Sequence, residues 1–200
     1  MLRSLRSSLA RFAVRRAAAC QRFAPRRADF WLRLACRLTP GFADSYPALV
    51  RLRRATEDRW GAVAAARHGT ERFPDNPDAW MLLGEAYQMV FRQKDALHAY
   101  EQALALEERP DAAVAAGDLY RRAGLLQEAA ARFARAYAAG GGAEALWLNA
   151  QALFQAGEER AADEALHLWA TQVPGGLDRL SEARAELRGG KREDGGKREG

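Results

Sequence analysis

The side chains that could do chemistry in this 200-residue chain are few and scattered. His68, His98 and His167 are the only histidines, and they fall in separate segments. Glu164 and His167 have the i, i+3 spacing of metal ligands on one helix, but a di-iron bundle requires two such pairs and two further glutamates. The sequence also lacks the His-Glu-x-x-His, phosphate-loop and Gly-x-Ser-x-Gly motifs. We therefore predict that the protein is not an enzyme and has neither a metal site nor a cofactor.

The two cysteines, Cys20 and Cys36, are 16 residues apart in an arginine-rich segment. A single pair at this spacing forms neither a disulfide framework nor a zinc site. We expect both to serve as small side chains without a redox or metal-binding role.

Charge is distributed unevenly along the chain. Residues 1–60 contain 14 arginines and 4 acidic residues, a net charge of +10, whereas residues 61–200 contain 17 basic and 22 acidic residues, a net charge of −5. A helical repeat that reads RNA would need a basic binding face. We therefore expect no nucleic-acid partner for the body of the protein. The preference for Arg over Lys, with abundant Ala and Gly, suggests a bacterial protein from a GC-rich genome.

Residues 1–24 are predicted to form a basic amphipathic helix, with Leu5, Leu9 and Phe12 at helical spacing and no acidic residue before Asp29. Three interpretations remain open: a helix on an anionic membrane surface, a mitochondrial transit peptide if the source is eukaryotic, or a plain extension. Arginines interrupt any secretory h-region, and no run approaches the ~20 apolar residues of a membrane span. We expect a cytoplasmic protein, membrane-peripheral if residues 1–24 bind lipid.

The most informative pattern lies in residues 78–103. Trp80, Leu83, Gly84 and Tyr87 follow the i, i+3, i+4, i+7 spacing of one helix face. A second helix carries a matching series, Ala96, Tyr100 and Ala103. Small residues in the series allow the two helices to approach closely, and the large ones fill the space between them.

This pattern resembles the tetratricopeptide repeat (TPR), in which Trp-x2-Leu-Gly-x2-Tyr is followed by Ala-x3-Phe over about 34 residues. The pattern recurs 33 positions later in Gly117, Tyr120, Ala129, Phe133 and Ala136. The resemblance implies an all-α, right-handed TPR-type α-solenoid of about three to four helix-turn-helix repeats with a C-terminal cap helix.

The predicted boundaries follow from the repeat register. Residues 1–27 are expected to form a basic amphipathic or disordered N-terminal extension and residues 28–42 an N-terminal capping helix. The TPR-like domain covers 43–187, with repeats at 43–76, 77–109, 110–142 and 143–174 and a cap helix at 177–187. Residues 188–200, which include two copies of a charged hexapeptide, are expected to be disordered.

In TPR proteins the first helices of successive repeats line a concave groove, and the resemblance places the outward positions of those helices there. The expected groove residues are Asp78, Met81, Glu85, Gln88, Met89, Asp118, Arg121, Arg122, Trp147, Gln151 and Phe154. Alternatively, Met89 and Trp147 pack between repeats. We predict a non-catalytic protein-protein interaction scaffold that binds a peptide or helix of a partner protein in this groove. The alternative is a membrane-peripheral assembly factor anchored by the basic N-terminus.

Overall fold

The computed structural model describes residues 2–38, 41 and 45–195, and within that part the chain is helical with no strand. It divides into two compact units, Met1–Glu107 and Glu108–Gly200, here called the N-terminal unit and the C-terminal unit. Among the described residues, no helix combines the length and the hydropathy that a bilayer-spanning segment requires.

The N-terminal unit contains six helices in the described part of the chain. They are α1 (Leu2–Cys20), α2 (Pro25–Leu38), α3 (Tyr46–Ala55), α4 (Arg59–Arg72), α5 (Pro77–Met89) and α6 (Gln93–Leu106). Each odd-numbered helix packs against the next one as a hairpin, and α2 and α4 also pack against the first helix of the following hairpin. Capping defines two of the starts: the Asp58 carboxylate accepts a hydrogen bond from the Gly61 N–H (3.0 Å), and the Asn76 side chain accepts one from the Asp78 N–H (2.9 Å).

The C-terminal unit contains α7 (Pro110–Arg122), α8 (Leu126–Ala136), α9 (Gly142–Ala156), α10 (Glu159–Gln172) and α11 (Leu180–Gly195). A kinked segment (Tyr137–Gly141) joins α8 to α9, and Gly140 within it has a positive φ of 94°. Helices α7 and α8 form one hairpin, α9 and α10 form another, and α8 packs against α9. The buried Asn149 amide donates a hydrogen bond to the Ala130 carbonyl (2.7 Å), which joins α9 to α8.

The two well-formed hairpins are built as the repeat pattern predicts. Ala96, Tyr100 and Ala103 are fully buried on α6, and Ala129, Phe133 and Ala136 are fully buried at the equivalent positions of α8. Leu83, Gly84 and Gly117 are buried on the facing first helices, while Trp80, Tyr87 and Tyr120 are half-buried. The Trp80 indole N–H donates to the Pro74 carbonyl (2.7 Å), so this aromatic side chain also fixes the entry to α5.

The hairpin of residues 43–76 replaces the pattern's tyrosine with Arg53. Its guanidinium donates to the Asp29 carboxylate of α2 (2.9 Å) and to the Gly61 carbonyl of α4 (2.7 Å). A charged side chain thus links the three helices at a position where the next hairpin, α5 and α6, has the aromatic ring of Tyr87.

Residues 2–20 form the helix α1, which packs on α2 within the N-terminal unit, whereas residues 1–27 were expected to form a separate extension. Helix α1 buries Ala10, Ala13 and Ala17, and α2 begins at Pro25. These alanines follow an i, i+3, i+7 spacing that lets α1 pack closely on α2. Residues 39–40 and 42–44 of the predicted capping segment lie outside the described residues.

The C-terminal end also differs from the sequence-based expectation. Helix α11 begins at Leu180 and continues to Gly195, whereas residues from 188 onward were expected to be disordered. Residues 196–200 lie outside the described part.

Candidate partner-binding surfaces

The five predicted groove residues of α5 differ in accessibility. Asp78 and Glu85 are exposed, whereas Met81 and Gln88 are half-buried. Met89 packs against the hydrophobic core of the N-terminal unit. Helix α5 therefore offers two carboxylates and part of a methionine side chain, while Met89 has a packing role.

On α7, two of the predicted groove residues bind each other. The Arg121 guanidinium donates to the Asp118 carboxylate at 2.9 Å, and both side chains are about one-third exposed. An acidic group of a partner would have to compete with Asp118 for Arg121. Arg122, by contrast, is exposed.

The prediction that Phe154 lies in the groove is wrong. Phe154 is only 2% exposed and belongs to a core cluster with Leu166 of α10 and with Ala183 and Leu187 of α11. The cap helix packs over this face of the last hairpin, so the position is covered. Gln151, one turn earlier on α9, is half-buried.

Trp147 lies at the side of an open cavity of about 390 Å³ in the C-terminal unit. Its ring is 5.1 Å from that of Trp169, centroid to centroid, at an angle of 52°. Both rings also pack against the core cluster of α9, α10 and α11. The charged residues at this cavity are Glu144, Arg179, Glu182 and Glu186.

A cavity that the sequence did not predict lies in the N-terminal unit between α1, α2 and α3. This α1–α3 groove has an open volume of about 890 Å³. Its apolar surface includes Val14 and Ala18 of α1, Leu32 of α2, and Leu52 and Ala55 of α3. The signal that could have revealed it is the alanine spacing of α1, which indicates that α1 packs on α2 instead of extending away.

Polar side chains at the α1–α3 groove are basic or neutral. They are Gln21 and Arg22 in the turn after α1, Arg51 within α3, and Thr56 immediately after α3. The Arg22 guanidinium lies 5.7 Å from the centroid of the Phe23 ring. Together, the apolar surface and the two guanidinium groups form a surface complementary to an apolar segment that carries negative charge.

The histidines, cysteines and acidic residues considered as candidates for catalysis or metal binding are not grouped into a site in the described part of the chain. In the part of the chain that the structure describes, His, Cys, Asp and Glu side chains form no group of three or more that could hold a metal ion. Glu164 lies 3.6 Å from Arg160, and the His68 ring shares a hydrogen bond with the Tyr46 hydroxyl (3.0 Å). Burial raises the pKa of the Cys36 thiol, which disfavours its reactive thiolate form. Both cysteines are free.

Comparison with solved structures identifies the fold. PilF of Pseudomonas aeruginosa is similar with a TM-score of 0.65 and 16% sequence identity, covering 91% of this chain and 90% of PilF. TTC0263, a TPR protein of Thermus thermophilus, gives a TM-score of 0.56 at 18% identity, covering 89% and 98%. YrrB, described as a TPR protein with an unusual peptide-binding site, gives 0.59 at 19% identity, covering 90% of both chains.

These similarities confirm that the chain has an all-α TPR-type fold, as the sequence resemblance predicted. Identities below 20% in these three structures establish the fold alone. Neither the protein-family models nor the curated protein sequences contain a match to the chain.

Proposed function

We propose that the protein is a non-catalytic interaction scaffold that binds a peptide or helix of a partner protein. The observation that carries this proposal is the α1–α3 groove, a large open cavity with an apolar surface and two arginines at its edge, Arg22 in the turn after α1 and Arg51 of α3. An amphipathic helix lays its apolar face into grooves of this kind. Apolar side chains of the partner would contact Val14, Leu32 and Leu52.

The chemistry of the groove favours an acidic partner segment. Arg22 and Arg51 are exposed, and within the described part of the chain neither forms an ion pair. Carboxylates on the polar face of a bound helix would pair with them, which mainly raises the association rate and the specificity. In the C-terminal unit, we place further partner contacts at Arg122, which is exposed, and at Trp147 and Gln151, which are half-buried.

Charge reversal on α3 tests the groove directly. Arg51 lines the groove, whereas Arg54, three residues later on the same helix, is also exposed and does not line it. The full chain would be used as bait in the native host, either unchanged or carrying Arg51→Glu or Arg54→Glu. Circular dichroism would show that both variants are folded. The proposal expects a partner that is lost with Arg51→Glu and retained with Arg54→Glu, whereas equal behaviour of the two variants would contradict it.

A second candidate function is a membrane-peripheral assembly factor that is anchored by the N-terminal segment. The specific observation that favours it is the outward face of α1, where Leu5, Leu9 and Phe12 are all more than half exposed. Such a protein would use the same groove for its partner.

A further inference from the structure

Helix α1 has two accessible faces that lie on opposite sides of its axis. Val14 and Ala18 of α1 line the α1–α3 groove, together with Gln21. Gln21 follows the last residue of α1 and continues its hydrogen bonding through the Ala17 carbonyl (2.9 Å). Leu5, Leu9 and Phe12 each precede one of these residues by nine positions, which is two and a half helical turns. These three side chains therefore lie on the side of α1 away from the groove, and they take no part in the buried alanine contact with α2.

Aromatic residues of α2 extend the outward face of α1. The ring of Trp31 is 6.1 Å from that of Phe12 and 5.7 Å from that of Phe30, in edge-to-face contact with both. Leu5, Leu9, Phe12 and Phe30 are between 53% and 58% exposed. We call the surface made by Leu5, Leu9, Phe12, Phe30 and Trp31 the hairpin patch.

The charged residues of α1 and of the turn that follows it have a single sign. Residues 1–28 contain eight arginines and no acidic residue. Arg11, Arg15 and Arg16 of α1 are exposed, and within the described part of the chain they form no ion pair. The first carboxylate, Asp29, is held by Arg33 and Arg53.

We propose that the hairpin patch docks onto the surface of an anionic lipid bilayer. The inference rests on the second candidate function and identifies its lipid-binding surface as a composite of two packed helices. Leucine and aromatic side chains enter the boundary between headgroups and acyl chains, while arginines bind anionic headgroups. Because the α1–α3 groove is on the other side of α1, the protein can bind lipid and a partner segment simultaneously.

Vesicle co-sedimentation of the full chain tests this proposal. The probes are vesicles of phosphatidylcholine alone and vesicles with about 30% phosphatidylglycerol, an anionic content at which arginines near the surface add measurable affinity. We expect binding to the anionic vesicles that is at least about tenfold stronger than binding to neutral ones and that weakens at high salt. No binding, or equal binding to both vesicle types, would overturn the proposal.

Two variants locate the binding surface. Leu9→Gln/Phe30→Gln removes apolar contact area from both helices and should weaken binding about tenfold or more. The matched control, Leu106→Gln/Leu168→Gln, changes two exposed leucines outside the patch and should bind as the unchanged chain does. Arg15→Gln/Arg16→Gln alters only exposed side chains and should also weaken binding, so the proposal stays testable if the apolar variant unfolds.

The test of lipid binding by the hairpin patch can fail or succeed independently of the test of partner binding by the α1–α3 groove. Arg51→Gln should leave the affinity for vesicles within about twofold of that of the unchanged chain. Arg51 lines the groove on the other side of α1, and salt screens the attraction between an exposed charge and headgroups that it does not approach. If the patch and control variants bind lipid equally, the hairpin patch is not the lipid-binding surface, whatever the fate of the groove proposal. Binding of an acidic protein that the patch variants abolish, with no vesicle binding, would overturn the lipid assignment in favour of a protein contact.

Discussion

Gly84 and Tyr100 are in such close contact that a side chain at position 84 has no room. A Cβ atom built on Gly84 would lie 2.4 Å from Cε1 of the Tyr100 ring, and one built on Gly117 would lie 2.7 Å from Cε1 of Phe133. The two hairpins thus repeat one contact, in which a ring on the second helix lies against the bare backbone of the first. This contact explains the glycine and the aromatic residue of the repeat pattern together.

Gly84→Ala should destabilise the protein by about 1–3 kcal/mol, the usual cost of overpacking a core contact. Alanine is the better helix former by about 1 kcal/mol, so a loss of stability would identify the ring contact as its cause. Urea denaturation measures the effect. In a Tyr100→Leu background, the same substitution should cost clearly less. An equal cost in both backgrounds would contradict this account of the contact.

Phe154→Ala should cost about 3–5 kcal/mol of stability, as is typical of removing a buried phenylalanine. The control is Gln151→Ala, one turn earlier on the same helix, which should stay within about 0.5 kcal/mol as surface substitutions do. Thermal or urea unfolding distinguishes the two variants. A fully stable Phe154→Ala protein would show that α11 does not cover this position.

Arg53→Met should lower the free energy of unfolding by about 1.5–3 kcal/mol, because it removes hydrogen bonds from a charged donor. The Arg53 and Asp29 side chains are 15% and 23% exposed. Arg33 binds the same carboxylate but is 60% exposed, so Arg33→Met should cost only about 0–1 kcal/mol. Equal costs in the two variants would mean that Arg53 contributes no more than a surface ion pair.

Acid should remove a stabilising contribution from the start of α7. The hydrogen bond from Arg109 holds the pKa of the Asp111 carboxyl below its usual range, helped by the Ala112 N–H. Because the folded-state pKa is the lower one, the stabilisation is present above the ordinary carboxyl pKa of about 4 and is lost as pH falls through the folded-state value. The stability difference between the unchanged chain and Asp111→Asn should therefore shrink from pH 7 to pH 3. A difference that does not change with pH would contradict this assignment.

The parts of the fold that depend on local sequence patterns were predictable. The close contact of Gly84 with Tyr100 leaves a signature within 17 positions of one chain segment, and its repetition in Gly117 and Phe133 sets the register. The fold class follows from that repetition, since a helical hairpin that recurs at a fixed period is the signature of a repeat architecture.

The N-terminal hairpin was not predictable in the same way. Ala10, Ala13 and Ala17 form its contact surface, but alanines are common throughout this segment and their spacing is easily overlooked. Without the packing of α1 on α2, the α1–α3 groove could not be anticipated. Likewise, the sequence alone did not indicate that Arg53, at the tyrosine position of the hairpin of residues 43–76, binds Asp29 and Gly61.

Phe154 shows why the candidate site was harder to predict than the fold. The prediction that Phe154 is exposed in the groove follows from the equivalent position of α5, Gln88, which is half-buried. At the last hairpin, however, Ala183 and Leu187 of α11 cover that position. Exposure at the end of a repeat array depends on the cap, and this information is absent from the repeat itself.

Site-specific photo-crosslinking in the native host is the most direct test that the α1–α3 groove binds a partner protein. Benzoylphenylalanine would replace Ala55, which is exposed and lines the groove, or Arg67 of α4, which is exposed and does not line it. We predict a crosslinked polypeptide from position 55 that is absent at position 67 and is lost when Arg51→Glu is added. No crosslinked polypeptide at position 55, or the same product from both positions, would contradict the proposed function.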